Sequence, residues 1–322
     1  MTNPGIVFVY TNSFDYTSDL LISRIGSEHV FRFNTDAWSD YSILVEPGAF
    51  RIAAPNGREI NRTGIAKFYW RKPLKKHLIP GLGAKVSSEE KFCEEEIWYA
   101  MREVVNMLWQ DRKLVLVEPF GDARVGKFIQ AEAAGKYFNV PPCRFVLGRP
   151  AEFAQDKESV VKSLTSQRVD EDTILYATRV KEHELNPGFP WMVQDLVEAE
   201  MDVTVVYVRD RLFAFELQRK PFLERTLDWK EVSTEALSDD WPEHRLPAEI
   251  EQGIHGFMND IGLQYGRLDF LRTRDGQYHF LEVNPNGEWG WLDSEGKYGL
   301  LEKMLEEVSP ATPLHPLPAR FS

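Results

Sequence analysis

Residues 266–291 read GRLDFLRTRDGQYHFLEVNPNGEWGW. Two largely apolar runs flank Asp275-Gly276, a strong signal for a two-residue hairpin, because both central positions of a type I′ turn need positive φ. A turn centred there sets Asp269 opposite Glu282 and Arg267 opposite Asn284. Side chains alternate along a strand, so Arg267, Asp269, Glu282 and Asn284 emerge on one face. Leu268, Phe270, Leu281 and Val283 then line the other. Pro285-Asn286-Gly287 ends the second strand abruptly.

Carboxylates directly opposed on a sheet repel and weaken it. A divalent cation between them reverses that penalty, and hard cations such as Mg²⁺ take oxygen ligands from a few carboxylates, an amide and substrate phosphates. The competing reading is the solvated outer face of an edge hairpin. The strand after the turn is too apolar for an edge and stops in a sharp turn, so the pattern favours a metal and phosphate site.

Composition narrows the classes that could use such a site. The 322 residues are 43% hydrophobic and 27% charged, with a net charge of −12. An acidic chain lacks the basic stripe that general nucleic-acid binding requires. Two cysteines, Cys93 and Cys143, cannot build a disulfide framework, and seven scattered histidines offer no zinc spacing. MTNPGIVFVYTNS carries no basic region followed by a long apolar run, and no stretch reaches about 18 uninterrupted apolar residues. A reducing, cytoplasmic setting without a membrane partner is expected.

Along the chain, IVFVY reads as a strand, TNSFDYTSD as a polar loop and LLISRI as the start of a helix, the opening of an α/β unit. VFRFN, SILVE, GAFRIAA and KFYW continue as short strands. SSEEKFCEEEIWYAMREVVNMLWQ is a long helix with cap candidates Ser87 and Ser88, its Trp98, Met101, Val105 and Leu108 facing a core. KLVLVEP reads as a further strand. GDARVGKFIQAEAAGKYF is a helix stopped by Asn-Val-Pro-Pro, and CRFVLG, SVVKSL and ILYATRV are three strands of a small mixed domain. WMVQDLV and MDVTVVYVRDRLFAFEL are strand-rich, and GLLEKMLEEV is a closing amphipathic helix.

Lys162 lies inside SVVKSL, where it is either an edge residue reaching solvent or a cation aimed at phosphates. Lys127, at the start of ARVGKFIQ, is either on a solvated helix face or at a phosphate helped by a helix N-terminus. WRKPLKKH places Arg71, Lys72, Lys75 and Lys76 together, as a solvated face or as a docking surface for an acidic peptide.

The order of these pieces is more telling than any one of them. Lys127 before a helix ending in a Pro-Pro turn, Lys162 in a lid strand, the apolar hinge QDLV, Asp202, and then GRLD and LEVNPNG resemble the ATP-grasp carboxylate-amine ligases over essentially the whole chain. TNSFDYTSDLLISRIGSEHVFRFNTD, FYWRKP, LDWKE and NPNGEWGWLD resemble, more narrowly, the graspetide synthetases, which are microviridin-type macrocyclases of ribosomal peptides.

That resemblance implies an α/β (α+β) ATP-grasp fold. It comprises an N-terminal α/β domain over 1–122, a small central lid domain over 123–192 and a C-terminal domain with an antiparallel sheet over 193–322. It implies that Lys127 and Lys162 contact ATP phosphates and that Gln194, Asp195, Leu196 and Val197 bind adenine through their backbone. Asp202 would take the ribose hydroxyls, and Asp269, Glu282 and Asn284 would hold two Mg²⁺ ions. Arg267 would stabilise charge on the transferring phosphoryl group or the tetrahedral intermediate. Two positions depart from the pattern. Thr204 stands where an Arg is common, and Lys230, in the nucleotide-binding set, replaces the Arg of a DWR motif. Lys keeps the charge but loses the planar bidentate fork.

The implied activity is ATP-dependent activation of Asp or Glu carboxylates of a precursor peptide, with leader and acidic core, followed by ω-ester or ω-amide crosslinking. A homodimer is expected from the resemblance alone. An intermolecular ligase adding a free amino acid and a nucleotide-binding regulator without turnover stand as alternatives. The intact set of Lys127, Lys162, Arg267, Asp269, Glu282 and Asn284 argues against the regulator.

Overall fold

The run IVFVYT (Ile6–Thr11) has the β-branched and aromatic content of a buried strand. It forms β1, the middle of a parallel sheet between Val30–Asn34 (β2) and Ile65–Trp70 (β6). Phe8 pairs with Phe31 on one side and Phe68 on the other. Its ring lies 6.0 Å from that of Phe31 and 5.2 Å from that of Phe68. Parallel neighbours require a crossover, which Tyr16–Ile25 (α1) supplies between β1 and β2. The computed structural model describes residues 5–76, 86–119, 124–148, 158–164, 177–219 and 241–314.

Helix α1 begins earlier than LLISRI suggests, inside the segment read as loop. Asp15 is its N-cap, accepting a hydrogen bond from the Ser18 amide, which turns TSD into the first turn. Ser42–Glu46 (β3), Ala49–Ala53 (β4) and Glu59–Asn61 (β5) form a separate antiparallel meander that buries Phe50, Ile52 and Ile60 on one face. Ser88–Gln110 (α2) starts at a capping box, with the Glu90 amide donating to Ser87 Oγ at 3.1 Å and the Ser87 amide to Glu90 Oε2 at 2.9 Å. Met101, Val105 and Leu108 are buried, whereas Trp98 is half-buried with the Lys75 ammonium 5.1 Å from its ring.

KLVLVEP does not form a strand. Leu114 makes an isolated parallel bridge to Phe68, and Leu116 then takes a φ of 58°, which ends any extended run. Leu300–Val308 (α5) packs against α1. Its N-terminus is held by Asp293 Oδ2, which accepts from the Leu300 and Leu301 amides at 2.8 and 3.1 Å. Its C-terminal carbonyls meet Lys67, 2% exposed, which donates to the Glu307 carbonyl at 2.6 Å. Anionic and cationic groups thus sit at the ends where the helix dipole favours them. These elements belong to one compact unit, Met1–Arg124 with Gly262–Gly266 and Pro285–Ser322.

The second unit comprises Val125–Ile261 and Arg267–Asn284. Cys143–Val146 (β7), Glu158–Lys162 (β8), Thr178–Lys181 (β9) and Trp191–Asp195 (β10) form an antiparallel sheet in the order β7-β10-β8-β9. One face buries Val146, Val161 and Val193 with Leu185. Met201–Val208 (β11), Arg211–Gln218 (β12), Tyr265–Arg272 (β13) and Tyr278–Asn284 (β14) form a second sheet in the order β12-β11-β13-β14. Lys127–Ala134 (α3) and Ala248–Ile261 (α4) accompany it, with Phe138 stacking on Phe280 at 5.9 Å and meeting Phe257 and Phe270 edge-on.

Two glycines make this aromatic cluster possible. A Cβ built on Gly253 of α4 would lie 2.7 Å from Phe138 Cε1, and one on Gly256 would lie 2.5 Å from Tyr137 Cε1. Glycine costs a helix interior about 1 kcal/mol against alanine, so these positions trade propensity for close approach. Gly253→Ala should therefore destabilise by about 1–3 kcal/mol through overpacking, despite the better helix former. A denaturant midpoint equal to or above that of the wild type would contradict this.

Candidate active site

The hairpin that carries the candidate ligands reaches the expected pairing by an unexpected route. The Thr273 amide donates to the Gln277 carbonyl and the Gly276 amide to the Thr273 carbonyl, both at 3.0 Å. The loop therefore has three residues, Arg274, Asp275 and Gly276, with Gly276 at a φ of 84°. It is the three-residue type that ends in one left-handed position, not the two-residue turn that Asp-Gly suggested. Near the loop Phe270 pairs with Phe280, and an extra residue, Leu281, then shifts the register so that Asp269 pairs with Glu282 and Arg267 with Asn284. The bulge and the longer loop compensate, and the four polar residues share one face as expected.

The same bulge changes which residues serve the core. Tyr278, Phe280 and Val283 are buried, and Leu281, expected in the core, is only half-buried. Strand β14 is also the sheet's last strand, contrary to the expectation from its apolar character. Its outer edge is covered. The Phe280 amide donates to the Asn139 carbonyl at 2.9 Å and the Val283 amide to Gln130 Oε1 of α3 at 2.9 Å. Covering the edge satisfies backbone groups that would otherwise invite another strand.

On the polar face, each carboxylate is compensated. Asp269 Oδ1 accepts from Thr204 Oγ1 at 2.9 Å, and Oδ2 from Arg267 Nη2 at 3.2 Å. Glu282 Oε2 accepts from the Lys127 ammonium at 2.6 Å, and Oε1 from Asn284 Nδ2 at 3.3 Å. Lys127 is the first residue of α3, so the helix N-terminus and the ammonium arrive together. Arg267 is buried at 5% exposure. Two carboxylates and an amide oxygen are a hard donor set of the kind Mg²⁺ takes, with cationic side chains beside it that suit phosphate oxygens. The donor chemistry fits the metal.

Asp202 lies on the same sheet, where Arg219 Nη1 donates to its Oδ1 at 2.7 Å. Arg219 and the bond from Thr204 to Asp269 escaped the sequence reading. The signal for Arg219 was its place just after β12, two residues beyond Leu217, the register partner of Asp202 on the opposite strand, and so on the same face. Lys162 ends β8 in the other sheet of this unit, paired with Met192. Its ammonium partly offsets the burial that raises the Cys143 thiol. Gln194 and Asp195 are inside β10, which has ladders on both sides, and the Asp195 amide donates to the Pro142 carbonyl at 2.9 Å. Of the four residues expected to offer backbone groups to adenine, Leu196 and Val197 lie past the strand end. Lys230 and LDWKE lie outside the described residues.

No protein-family model and no curated protein matches the sequence. Solved structures do match. The chain is similar to macrocyclase MdnC bound with precursor peptide MdnA from Microcystis aeruginosa MRC, with a TM-score of 0.76 and 20% identity over 94% of this chain and 99% of that one. The fold is that of the ATP-grasp ligases. A Chryseobacterium gregarium RiPP-associated ATP-grasp ligase, in complex with ADP and a leader and core peptide, gives a TM-score of 0.78 and 20% identity over 96% and 98% of the two chains. D-cycloserine synthetase DcsG gives a TM-score of 0.57 and 14% identity over 95% of this chain and all 100% of that one. Among the described residues of this ATP-grasp fold, no helix is long and apolar enough to cross a membrane.

In the first unit, the described part of the basic run, residues 70–76, divides between a buried arginine and lysines that are ion-paired and partly exposed. Arg71 is fully buried, donating to Asn286 Oδ1 at 2.8 Å, the Gly287 carbonyl at 3.1 Å and Glu288 Oε2 at 2.6 Å, with Asp15 Oδ2 at 3.6 Å from its Nε. Lys72 pairs with Glu288, Lys75 with Glu95 and Lys76 with Glu90. Trp289 is 0% exposed and belongs to the core.

Burial works against ionisation of Glu288, but Arg71, Lys72 and the Thr17 hydroxyl outweigh it and hold the carboxyl at about 2. A folded value below the unfolded one means that the stabilisation is complete above the ordinary carboxylate range and is lost as pH falls through the folded value. Glu288→Gln should therefore flatten the acid limb of the stability curve between the ordinary 4.5 and about 2. Melting temperatures measured across that window check it, and an unchanged limb would refute it.

Proposed function

We propose that this protein is an ATP-dependent ligase that activates carboxylate side chains of a ribosomal precursor peptide and joins them to hydroxyl or amine side chains of the same peptide. The observation that carries the reading is the polar face of the β13–β14 hairpin. There Asp269, Glu282 and Asn284 form a hard-cation donor set, flanked by Arg267 and Lys127, on a fold also found in peptide macrocyclases. The MdnC and Chryseobacterium structures, each bound with peptide, support a peptide as the substrate class.

A carboxylate does not condense with an alcohol or amine in water without activation. The γ-phosphoryl group of ATP moves to a substrate carboxylate, giving ADP and an acyl phosphate. A Lys amine or a Ser or Thr hydroxyl then attacks the acyl carbon, phosphate leaves, and the nucleophile's proton passes to solvent. Mg²⁺ held by Asp269, Glu282 and Asn284, as two ions, would neutralise charge on the phosphate oxygens. Lys127 and Lys162 bind phosphate oxygens, and Arg267 meets the charge that develops on the transferring group or the tetrahedral intermediate. Asp202, oriented by Arg219, accepts from the ribose hydroxyls. The stretch Gln194, Asp195, Leu196 and Val197, at and just past the end of β10, offers backbone groups to adenine; the Asp195 amide already donates to the Pro142 carbonyl. No enzyme nucleophile takes part, and positioning supplies most of the rate.

Incubating the protein with Mg·ATP and a candidate precursor, then weighing the peptide, tests the reaction. Loss of one water per crosslink is expected. A gain equal to an added amino-acid residue would replace macrocyclisation by intermolecular ligation, and no stimulation of ADP release by any peptide would favour a regulatory role. Glu282→Gln should lower turnover by about 10²-fold or more and leave the circular dichroism spectrum intact. Wild-type turnover in that variant would refute the metal assignment.

A further inference from the structure

The face that carries Asp269 and Glu282 extends one strand beyond the hairpin. Strand β11 lies beside β13, and Thr204, 1% exposed, donates its hydroxyl to Asp269 Oδ1 at 2.9 Å. The Leu268 carbonyl is at the 3.5 Å margin from the same hydroxyl, so the carboxylate is its principal acceptor. The other oxygen of Asp269 is met by Arg267 at 3.2 Å. Asp269 is thus fixed from two strands, whereas Glu282 is held by the long side chain of Lys127 and by Asn284 on its own strand.

This difference has a chemical meaning. A threonine in a strand is stiff about χ1, and a buried hydroxyl has no water to turn toward. A carboxylate aligned by such a donor presents its remaining lone pairs in a set direction and keeps that direction when a ligand arrives. We infer that Thr204 is a positioning residue that aligns Asp269 for a divalent cation, on the metal-site reading of the Asp269–Glu282–Asn284 face. An arginine at this position would bring charge to the face. The threonine brings orientation without charge, and guanidinium groups reach this sheet from elsewhere: Arg267 on Asp269 at 3.2 Å and Arg219 on Asp202 at 2.7 Å.

Groups that orient a metal ligand typically change metal affinity by about 10–100-fold when lost. Calorimetric titration of the full chain with ADP, at a series of Mg²⁺ concentrations and without metal, reads this apart from catalysis. In the wild type Mg²⁺ should tighten ADP binding. Thr204→Val should raise the Mg²⁺ concentration giving half of that effect by about tenfold, leave metal-free ADP binding unchanged, and yield to Thr204→Ser, which restores the donor. Electron paramagnetic resonance of bound Mn²⁺ should show the same order of affinities. Thr204→Ala gives the same comparison should the valine variant not fold. A valine variant with wild-type Mg²⁺ dependence, or one that loses metal-free ADP binding equally, overturns the inference alone. A wild type whose ADP binding ignores Mg²⁺ overturns the metal-site reading and this inference with it.

Discussion

Two carboxylates, Asp269 and Glu282, face each other across one pair of strands, and the rest of this region is arranged around that repulsion. Left alone it would weaken the hairpin. Positive or donating groups surround it instead: Arg267 and Thr204 on one acid, Lys127 and Asn284 on the other. Each comes from a different place in the chain, so the cluster ties α3, β11, β13 and β14 together through charge as well as through the Phe138–Phe280 core. On the proposed metal-site reading, this pair offers oxygen atoms of the kind a hard cation takes.

The segment that follows Asn284 depends on a different buried charge. Arg71 collects the backbone of the Asn286–Gly287 turn and the carboxylate of Glu288 around a guanidinium with no exposure to water. Removing one partner from a buried ionic cluster costs far more than the cluster adds over apolar packing. The arrangement therefore acts as a specifier of one turn geometry more than as a source of net stability.

Alternation and turn residues made the shared polar face of Arg267, Asp269, Glu282 and Asn284 legible in the sequence, and the ATP-grasp fold was legible through the resemblance carried by GRLD, LEVNPNG and the order of lysines and acids along the chain. Ser87, one of the two cap candidates, marked the start of α2 in the same way, though the capping box with Glu90 was not read. Long-range pairing was not legible. Nothing local marks Arg71 as buried, since its burial follows from Asp15 and Glu288 far away in the chain. Thr204 reads as an ordinary strand residue until β11 is seen beside β13. KLVLVEP has strand composition, but a positive φ at Leu116 breaks it. The hairpin was right at the Asp269–Glu282 and Arg267–Asn284 pairs for an incomplete reason, because a longer loop and a bulge shift the register in opposite senses.

That bulge has a wider meaning for how the strand is used. Before Leu281 the buried positions are Tyr278 and Phe280; after it the buried position is Val283. β14 is two short strands in series, out of phase by one residue. The first segment answers to the aromatic core, the second to the polar face, and the phase break lets each be shaped by its own neighbours. Substitutions that retune the polar end need not pass through the packing of the aromatic end, so one continuous strand can hold an aromatic core and a separate polar chemistry side by side.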